Sequence, residues 1–291
     1  MIQGSCRNCT SNNIVVKRSG VYLPFFLKQV FDIEIVTTHH QLSDIPKHSI
    51  GAATTVRICR HCLFVGPDLP IPDTLLDRLY SDYRSATYNS VRTQYEPHYA
   101  DIAEQVGKSR HEYESRQRSM NIILTEHIKP EQVKHVLDWG GSDGRFVPHY
   151  FQDCDVTILD VSSERPLNNF KRINVLHESH KFDYIQICHV LEHVMEPNIL
   201  IKKALTHLRT GGFLYVEVPV DLPLAGIVEF FTDDNQARHY IHEHINLYTY
   251  LAIKELSKTL PLRLLSLTTL TQNWGWSTPT TVHALWQKII L

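Results

Sequence analysis

Val136-Leu137-Asp138-Trp139-Gly140-Gly141-Ser142-Asp143-Gly144-Arg145-Phe146 is the stretch that decides the fold. An apolar run ending in an acid enters a glycine-dense turn, which predicts a strand over Lys134–Trp139, a tight turn, and a helix from Gly144. Glycines let a backbone approach a ligand where a Cβ would collide, and a helix start presents unpaired N–H groups. A second acid, Asp160, closes the next apolar run, Val156-Thr157-Ile158-Leu159-Asp160. A carboxylate about twenty residues beyond the turn is where a Rossmann-like unit binds a ribose. Asp138, Gly140, Gly141, Asp143, Gly144 and Asp160 are therefore the candidate cofactor cradle. An acid in the turn disfavours a pyrophosphate and suits a cationic or zwitterionic ligand, so Asp143 points to S-adenosylmethionine rather than a dinucleotide.

Outward from this stretch, strand and helix patterns alternate: strands Val156–Val161 and Tyr184–His189, helix Pro197–Arg209, strand Phe213–Val220 and helix Thr249–Leu260. Alternation of this kind builds a parallel sheet. Pro197 opens its helix and Gly211-Gly212 ends it. Leu262–Leu270 and Val282–Ile290 read as an antiparallel pair closing the sheet, joined by a loop holding Trp274 and Trp276. The fold class expected is α/β.

Four of the six cysteines form two pairs, Cys6-x-x-Cys9 and Cys59-x-x-Cys62. Two such turns complete the tetrahedral thiolate shell of a structural Zn²⁺, with Zn–S bonds of about 2.3 Å. A redox dithiol and a disulfide pair are the alternatives. Cys154 and Cys188 sit alone in apolar segments and receive no role, and His39, His40, His48 and His61 are read as bystanders. Between the cysteine pairs Ile14-Val15-Val16 and Phe31 to Val36 read as β-rich, followed by a polar stretch from Thr37 to Ser49. Asp73 caps a helix with Leu76, Leu79, Tyr80 and Tyr83 on its apolar face, and one or two further helices are expected between His98 and Glu126. The organisation expected is a zinc-binding module over 1–72, a helical connector over 73–130 and a cofactor-binding domain over 131–291.

The 291 residues carry a net charge of −2, with a pI near 6.8, so no broad field favours a phosphate backbone. No apolar run approaches the roughly 20 residues that span a bilayer. The N-terminus lacks the regions of a signal peptide, which suggests a cytoplasmic protein.

The run Phe182-Asp183-Tyr184-Ile185-Gln186-Ile187-Cys188-His189-Val190-Leu191-Glu192-His193-Val194, then Pro197 and Arg209-Thr210-Gly211-Gly212-Phe213-Leu214, resembles the fourth strand and the entry to the fifth in class I S-adenosylmethionine-dependent methyltransferases. The two cysteine pairs, with Leu63-Phe64-Val65 and Leu79-Tyr80-Ser81-Asp82-Tyr83, are similar to the N-terminal zinc module of a subgroup that includes deoxysugar C-methyltransferases. The resemblance implies a Rossmann-like methyltransferase sheet, S-adenosylmethionine and Zn²⁺ as cofactors, and His189 on the cofactor side. It also implies a base at His244, supported by Glu243 and His193, with Tyr83 and Tyr88 lining the acceptor. Asp221 to His244 reads as a lid or an interface. This chain departs from the subgroup at Ser142, where the turn usually has a glycine, and in having no second large domain after Leu291. The acceptor expected is a small molecule, a sugar nucleotide or another glycan or natural-product precursor. An RNA methyltransferase gripping its substrate with the zinc module, through Lys17, Arg18, Lys28, Lys47, Arg57 and Arg60, and a non-catalytic partner protein are the competing readings.

Overall fold

The computed structural model describes residues 4–35, 51–80, 82–162, 164–221, 238–258 and 260–290. The elements in chain order are β1 (Ile14–Tyr22), α1 (Pro24–Phe31), β2 (Ala52–Cys59), β3 (Val65–Pro67), α2 (Asp73–Tyr80), α3 (Ala86–Tyr95) and α4 (Arg110–His127). They continue with β4 (His135–Trp139), β5 (Asp155–Leu159), β6 (Lys171–Ile173), β7 (Phe182–Cys188), α5 (Pro197–His207), β8 (Leu208–Pro219) and β9 (His239–Ile241). The chain closes with α6 (Tyr250–Leu256), β10 (Leu262–Thr271) and β11 (Thr280–Lys288).

Seven strands form the main sheet in the order β10-β11-β8-β7-β4-β5-β6. Neighbours from β6 to β8 run parallel, and β11 lies antiparallel between β8 and β10. Strand order reverses at β4 and β7, so their C-terminal ends flank the crevice where open α/β sheets hold ligands. Val136, Leu137, Ile185, Ile187 and Val216 are fully buried, as residues covered on both faces must be. Met120, Ile123 and Leu124 of α4 cover one face, while Ile201 and Leu205 of α5 and Ile253 and Leu256 of α6 cover the other. This is the Rossmann-like sheet the alternation predicts.

A second sheet, β3-β2-β1-β9, carries the N-terminal cysteines, and its fourth strand comes from residues 239–241. The cysteine turns dock on the α5 and α6 side: Asn8 donates to the Ala252 carbonyl at 2.7 Å, and Asn198 donates to that of Asn8 at 3.0 Å.

Three expectations are corrected. The described part of the Phe31 to Val36 run, residues 31–35, is not a strand: Phe31 ends α1, which starts at Pro24 and buries Phe25, Phe26, Leu27 and Val30. Proline at the first helical position and apolar residues spaced for one helix face outweigh the β-branched residues that follow Asp32. No helix starts at Gly144 either. Pro148 disfavours helical backbone at Val147, and the Gln117 side chain of α4 takes the groups a helix would pair internally. Its Nε2 donates to the Val147 carbonyl at 2.9 Å, and its Oε1 accepts from the His149 N–H at 3.0 Å. A short 3-10 turn, His149–Phe151, stands in the helix's place. Also, α5 ends at His207, so Leu208 to Gly212 open β8 rather than close the helix. The polar stretch Thr37–Ser49, with His39, His40 and His48, and most of the Asp221–His244 insertion lie outside the described residues. Among the described residues no helix is long and apolar enough to cross a membrane.

Thr249 caps α6, its hydroxyl accepting from the Ala252 N–H at 3.0 Å. Thr249→Ala should lower unfolding free energy by about 1 kcal/mol at unchanged m in urea titration; an unaltered midpoint would show that the cap contributes nothing.

Candidate active site

The glycine turn leaves β4 with Gly140 and Gly144 at φ of +75° and +81°, and Ser142 also left-handed at +52°. A Cβ at Gly141 would lie 2.1 Å from Asp138 Oδ2, so glycine is required for the turn to close over that carboxylate. Asp138 is 2 % exposed, and burial pushes its pKa up to about 7. Its Oδ1 accepts from Gln186 Nε2 at 2.8 Å, while Oδ2 is buried without a partner among the described residues. A buried acceptor left open beneath a glycine turn fits a ligand bearing N–H or cationic groups.

Asp160 closes the turn from β5, accepting from the Ser142 N–H at 2.8 Å and the Ser162 N–H at 2.7 Å. A carboxylate offers about four acceptor sites, so these two bonds orient Asp160 and leave capacity for ribose hydroxyls. Asp143 behaves differently from the sequence expectation. Arg145 grips it in a two-pronged ion pair, at 2.5 Å from Nη2 and 3.0 Å from Nε, so its charge is already balanced. The electrostatic argument that used Asp143 to choose among cofactors therefore does not hold.

Beyond β7, His189 is held by two fully buried carboxylates, Glu192 at 3.1 Å from Nδ1 and Glu217 at 3.1 Å from Nε2. Burial opposes its charge, but these acids raise its pKa. Glu217 in turn pairs with Arg116 of α4 at 3.1 Å. His189 thus belongs to a buried charge chain, with Trp274 against its ring at 5.5 Å. Glu192 is held down at about 2: burial works against its charge, and His189, His193 and His244 outweigh it.

His193 and His244 meet with ring centroids 5.0 Å apart. One ligand atom from each, with one from Glu192, lies within 4.8 Å of the others. His193 Nδ1 sits 2.8 Å from the Glu243 carbonyl, which only accepts, so Nδ1 carries the hydrogen and Nε2 the lone pair. Burial and the neighbouring His244 push the His193 pKa down, against the pull of Glu192. His244 donates from Nδ1 to Asp221 at 2.8 Å, and Asp221 overcomes burial to raise its pKa to about 9.

Glu243 points away from this pair. Its Oε1 accepts from Arg92 Nη1 at 2.6 Å and from the Tyr88 hydroxyl. Burial opposes its ionisation, but Arg92, His242 and Arg84 hold it well below the carboxylate range. Tyr88 is 1 % exposed and its hydroxyl is spent on Glu243. Tyr83 stands nearer the histidines, its ring 6.3 Å from that of His193, and the Tyr80 hydroxyl donates to the Glu243 carbonyl at 2.8 Å. Beside His244 opens a cleft of about 290 Å³, lined by Asp221, Arg238, His242 and Glu243 among others.

Sequence reading missed Glu192, Glu217, Arg92, Arg116 and Asp221. Glu192 lies inside the His-Val-Leu-Glu-His run and Asp221 immediately follows strand β8, positions that signal a site; Arg92 and Arg116 look like ordinary helix-surface residues.

In the N-terminal sheet Cys6, Cys9, Cys59 and Cys62 are all buried. The Cys6–Cys62 and Cys9–Cys59 sulfur pairs are each 3.7 Å apart. A disulfide needs about 2.05 Å, whereas the edge of a tetrahedron with Zn–S bonds near 2.3 Å is about 3.8 Å. The donor set and its spacing fit zinc. His61 stands outside it, bound to Glu255 at 2.9 Å, and Cys154 donates to the Val133 carbonyl.

A family profile described as a methyltransferase domain matches residues 111–267, more than half of the chain. Among solved structures, this chain is similar to the Burkholderia thailandensis 1,6-didemethyltoxoflavin-N1-methyltransferase, with bound 1,6-didemethyltoxoflavin and S-adenosylhomocysteine. The two are 16 % identical with a TM-score of 0.50, over 84 % of this chain and 99 % of that one. It is also similar to the N-methyltransferase NodS from Bradyrhizobium japonicum in complex with S-adenosylhomocysteine, at 15 % identity and a TM-score of 0.45, over 65 % and 92 %. No curated protein matches the chain.

Arg92→Ala strands the Glu243 charge and should cost about 3–5 kcal/mol. Thermal unfolding reads this directly, and a melting temperature equal to that of the parent would show that the pair is not a brace.

Proposed function

The chain belongs to the methyltransferase-domain family and is an S-adenosylmethionine-dependent methyltransferase, and from that premise we propose that it methylates a small oxygenated molecule, a sugar nucleotide or a related glycan or natural-product precursor. The observation that carries this reading is the contact of His193 with His244 at the ligand edge of the sheet, beside a cleft of about 290 Å³. That volume is near the lower end of small-molecule sites. The basic residues invoked for nucleic acid are partly spent within the fold: Arg57 pairs with Asp68 and Lys28 with Asp32.

S-adenosylmethionine, when bound, supplies an electrophilic methyl group on a sulfonium. Asp160 would hold the ribose, with Asp138 and the turn from Gly140 to Gly144 beneath the remainder. The chain's own task is to place the acceptor in line and to take its proton. We assign the proton to His193 rather than His244. Two features support the exchange: His193 Nε2 holds a lone pair and its pKa is lowered, while His244 is held protonated by Asp221. His244 then stabilises negative charge developing on the acceptor through its Nε2–H. Glu243 sets the carbonyl that orients His193, and Tyr83 borders the acceptor. Zn²⁺ on Cys6, Cys9, Cys59 and Cys62 would be structural, because four thiolates leave no open coordination position.

Three measurements test this reading. In calorimetry Asp160→Ala should weaken S-adenosylhomocysteine by about tenfold or more, given the strength of hydrogen bonds to a charged group; unchanged affinity would remove Asp160 from the site. The reaction needs His193 neutral and His244 charged. The kcat/KM profile should therefore rise with a midpoint below the usual imidazole value of about 6.5 and fall near pH 9. His193→Ala should lower kcat by about 10²–10⁴-fold, and full activity in that variant ends its role. Metal analysis should find one zinc per chain, and Cys59→Ser should lower both zinc content and stability. A zinc-free, fully folded parent would rule the metal out.

A further inference from the structure

Three arginines surround the region between the glycine turn and the histidine pair, and two of them are matched by carboxylates. Arg145 pairs with Asp143, and Arg116 with Glu217. Arg84 is different. Its one hydrogen bond to a side chain is a 3.2 Å contact from Nη2 to the hydroxyl of Tyr83, and its Nε is buried with no partner among the described residues. No described carboxylate stands within ion-pair distance of it. A guanidinium carries five N–H donors in a fork shaped for a carboxylate, so this pattern is that of a group waiting for an anion.

The backbone also singles out Arg84. Its φ is +60°, a left-handed conformation that costs a non-glycine residue free energy and persists only where the surroundings impose it. The side chain is directed inward, toward Gly107. A Cβ at Gly107 would stand 2.1 Å from Arg84 Nη1, so the guanidinium occupies the space that a glycine leaves. The same Gly107 carbonyl accepts from Arg145 Nη1 at 3.0 Å, which ties this segment to the turn that carries Asp143. On its other flank Arg84 lies over the Tyr83 ring, 4.6 Å from the centroid, and that ring is 6.3 Å from His193. Arg84 therefore stands between the nucleoside end of the site and the proton-transfer end.

We propose that Arg84 binds a carboxylate in the active site, that of the amino-acid arm of the methyl donor. The inference rests on the cofactor assignment above. An adenosyl group anchored at Asp160, with its sulfur directed toward His193, leaves its amino-acid arm to reach the segment between them, and there Arg84 supplies a guanidinium that feels the charge of Glu243 and Glu112 but has no carboxylate hydrogen-bonded to it. Balancing the carboxylate this way also relieves the buried Nε.

Two ligands that differ by this arm test the inference: S-adenosylhomocysteine, which carries the carboxylate, and methylthioadenosine, which has the same nucleoside and a thioether sulfur without it. Both would be titrated calorimetrically into the full-length parent protein, Arg84→Gln and Arg84→Lys. Arg84→Gln should weaken S-adenosylhomocysteine about tenfold to a hundredfold and leave methylthioadenosine unchanged, with Arg84→Lys between the two. The unchanged nucleoside affinity also shows that the variant is folded. An equal loss for both ligands, or no loss for either, overturns the assignment. If S-adenosylhomocysteine binds the parent but ignores Arg84, the cofactor reading survives and this inference fails. If it does not bind the parent, both fall.

Discussion

A carboxylate removed from water stays ionised only with a cation against it, and the site rests on three such groups. Glu192 and Glu217 are wholly buried at the end of β7 and within β8, and Glu243 is nearly so after β9. Two of their cations come from elsewhere in the chain, Arg116 from α4 and Arg92 from α3, and the third, His189, from the turn directly after β7. Helices that precede the main sheet in sequence are thereby fastened to its ligand edge. The pairing also fixes ring orientation, because the backbone around Glu243 supplies the carbonyl that sets the His193 tautomer. The geometry of the histidine pair is in part a by-product of keeping buried charge neutral.

The parallel pairing of β9 with β1 works alongside this constraint. It registers Gly20, Val21 and Tyr22 with His239, Tyr240 and Ile241, so the strand leading into His242, Glu243 and His244 is the edge of the cysteine-bearing sheet. Distortion of the cysteine cluster would reach the histidines through two strands. A zinc ion held by the cysteines would then act on the position of His244, which follows the strand that completes the N-terminal sheet.

Much of this was legible in the sequence. The β4 turn with Asp160, the β7 run with its histidines, and the cysteine spacing point to the parallel sheet, its ligand edge and a cluster of four buried thiols, because each is a local pattern with a chemical reason. What was not legible depended on side chains arriving from distant elements. The helix expected after Gly144 is absent because Gln117, some thirty positions upstream, satisfies the backbone there. Asp143 read as an unbalanced charge because nothing in the turn announces that Arg145 folds back onto it. Glu243 read as catalytic beside His244, yet the two side chains diverge, one into an ion pair with Arg92 and the other toward Asp221. Both residues lie in the irregular turn that follows β9, so no strand or helix period predicts where their side chains point.

The histidine pair illustrates how one environment separates two chemically identical groups. Both rings have the same neighbour in Glu192, and each repels the other's charge. The tie is broken by what each Nδ1 meets: a neutral carbonyl for His193, an ionised carboxylate for His244. A carbonyl orients the ring without favouring the second proton, whereas a carboxylate stabilises it. The pair is thereby biased toward one neutral imidazole beside one cation, the combination on which the proposed proton abstraction with charge stabilisation rests. Moving Asp221 to the His193 side would reverse the bias without changing either histidine, so under the proposed mechanism the identity of the base resides in the partners and not in the imidazoles themselves.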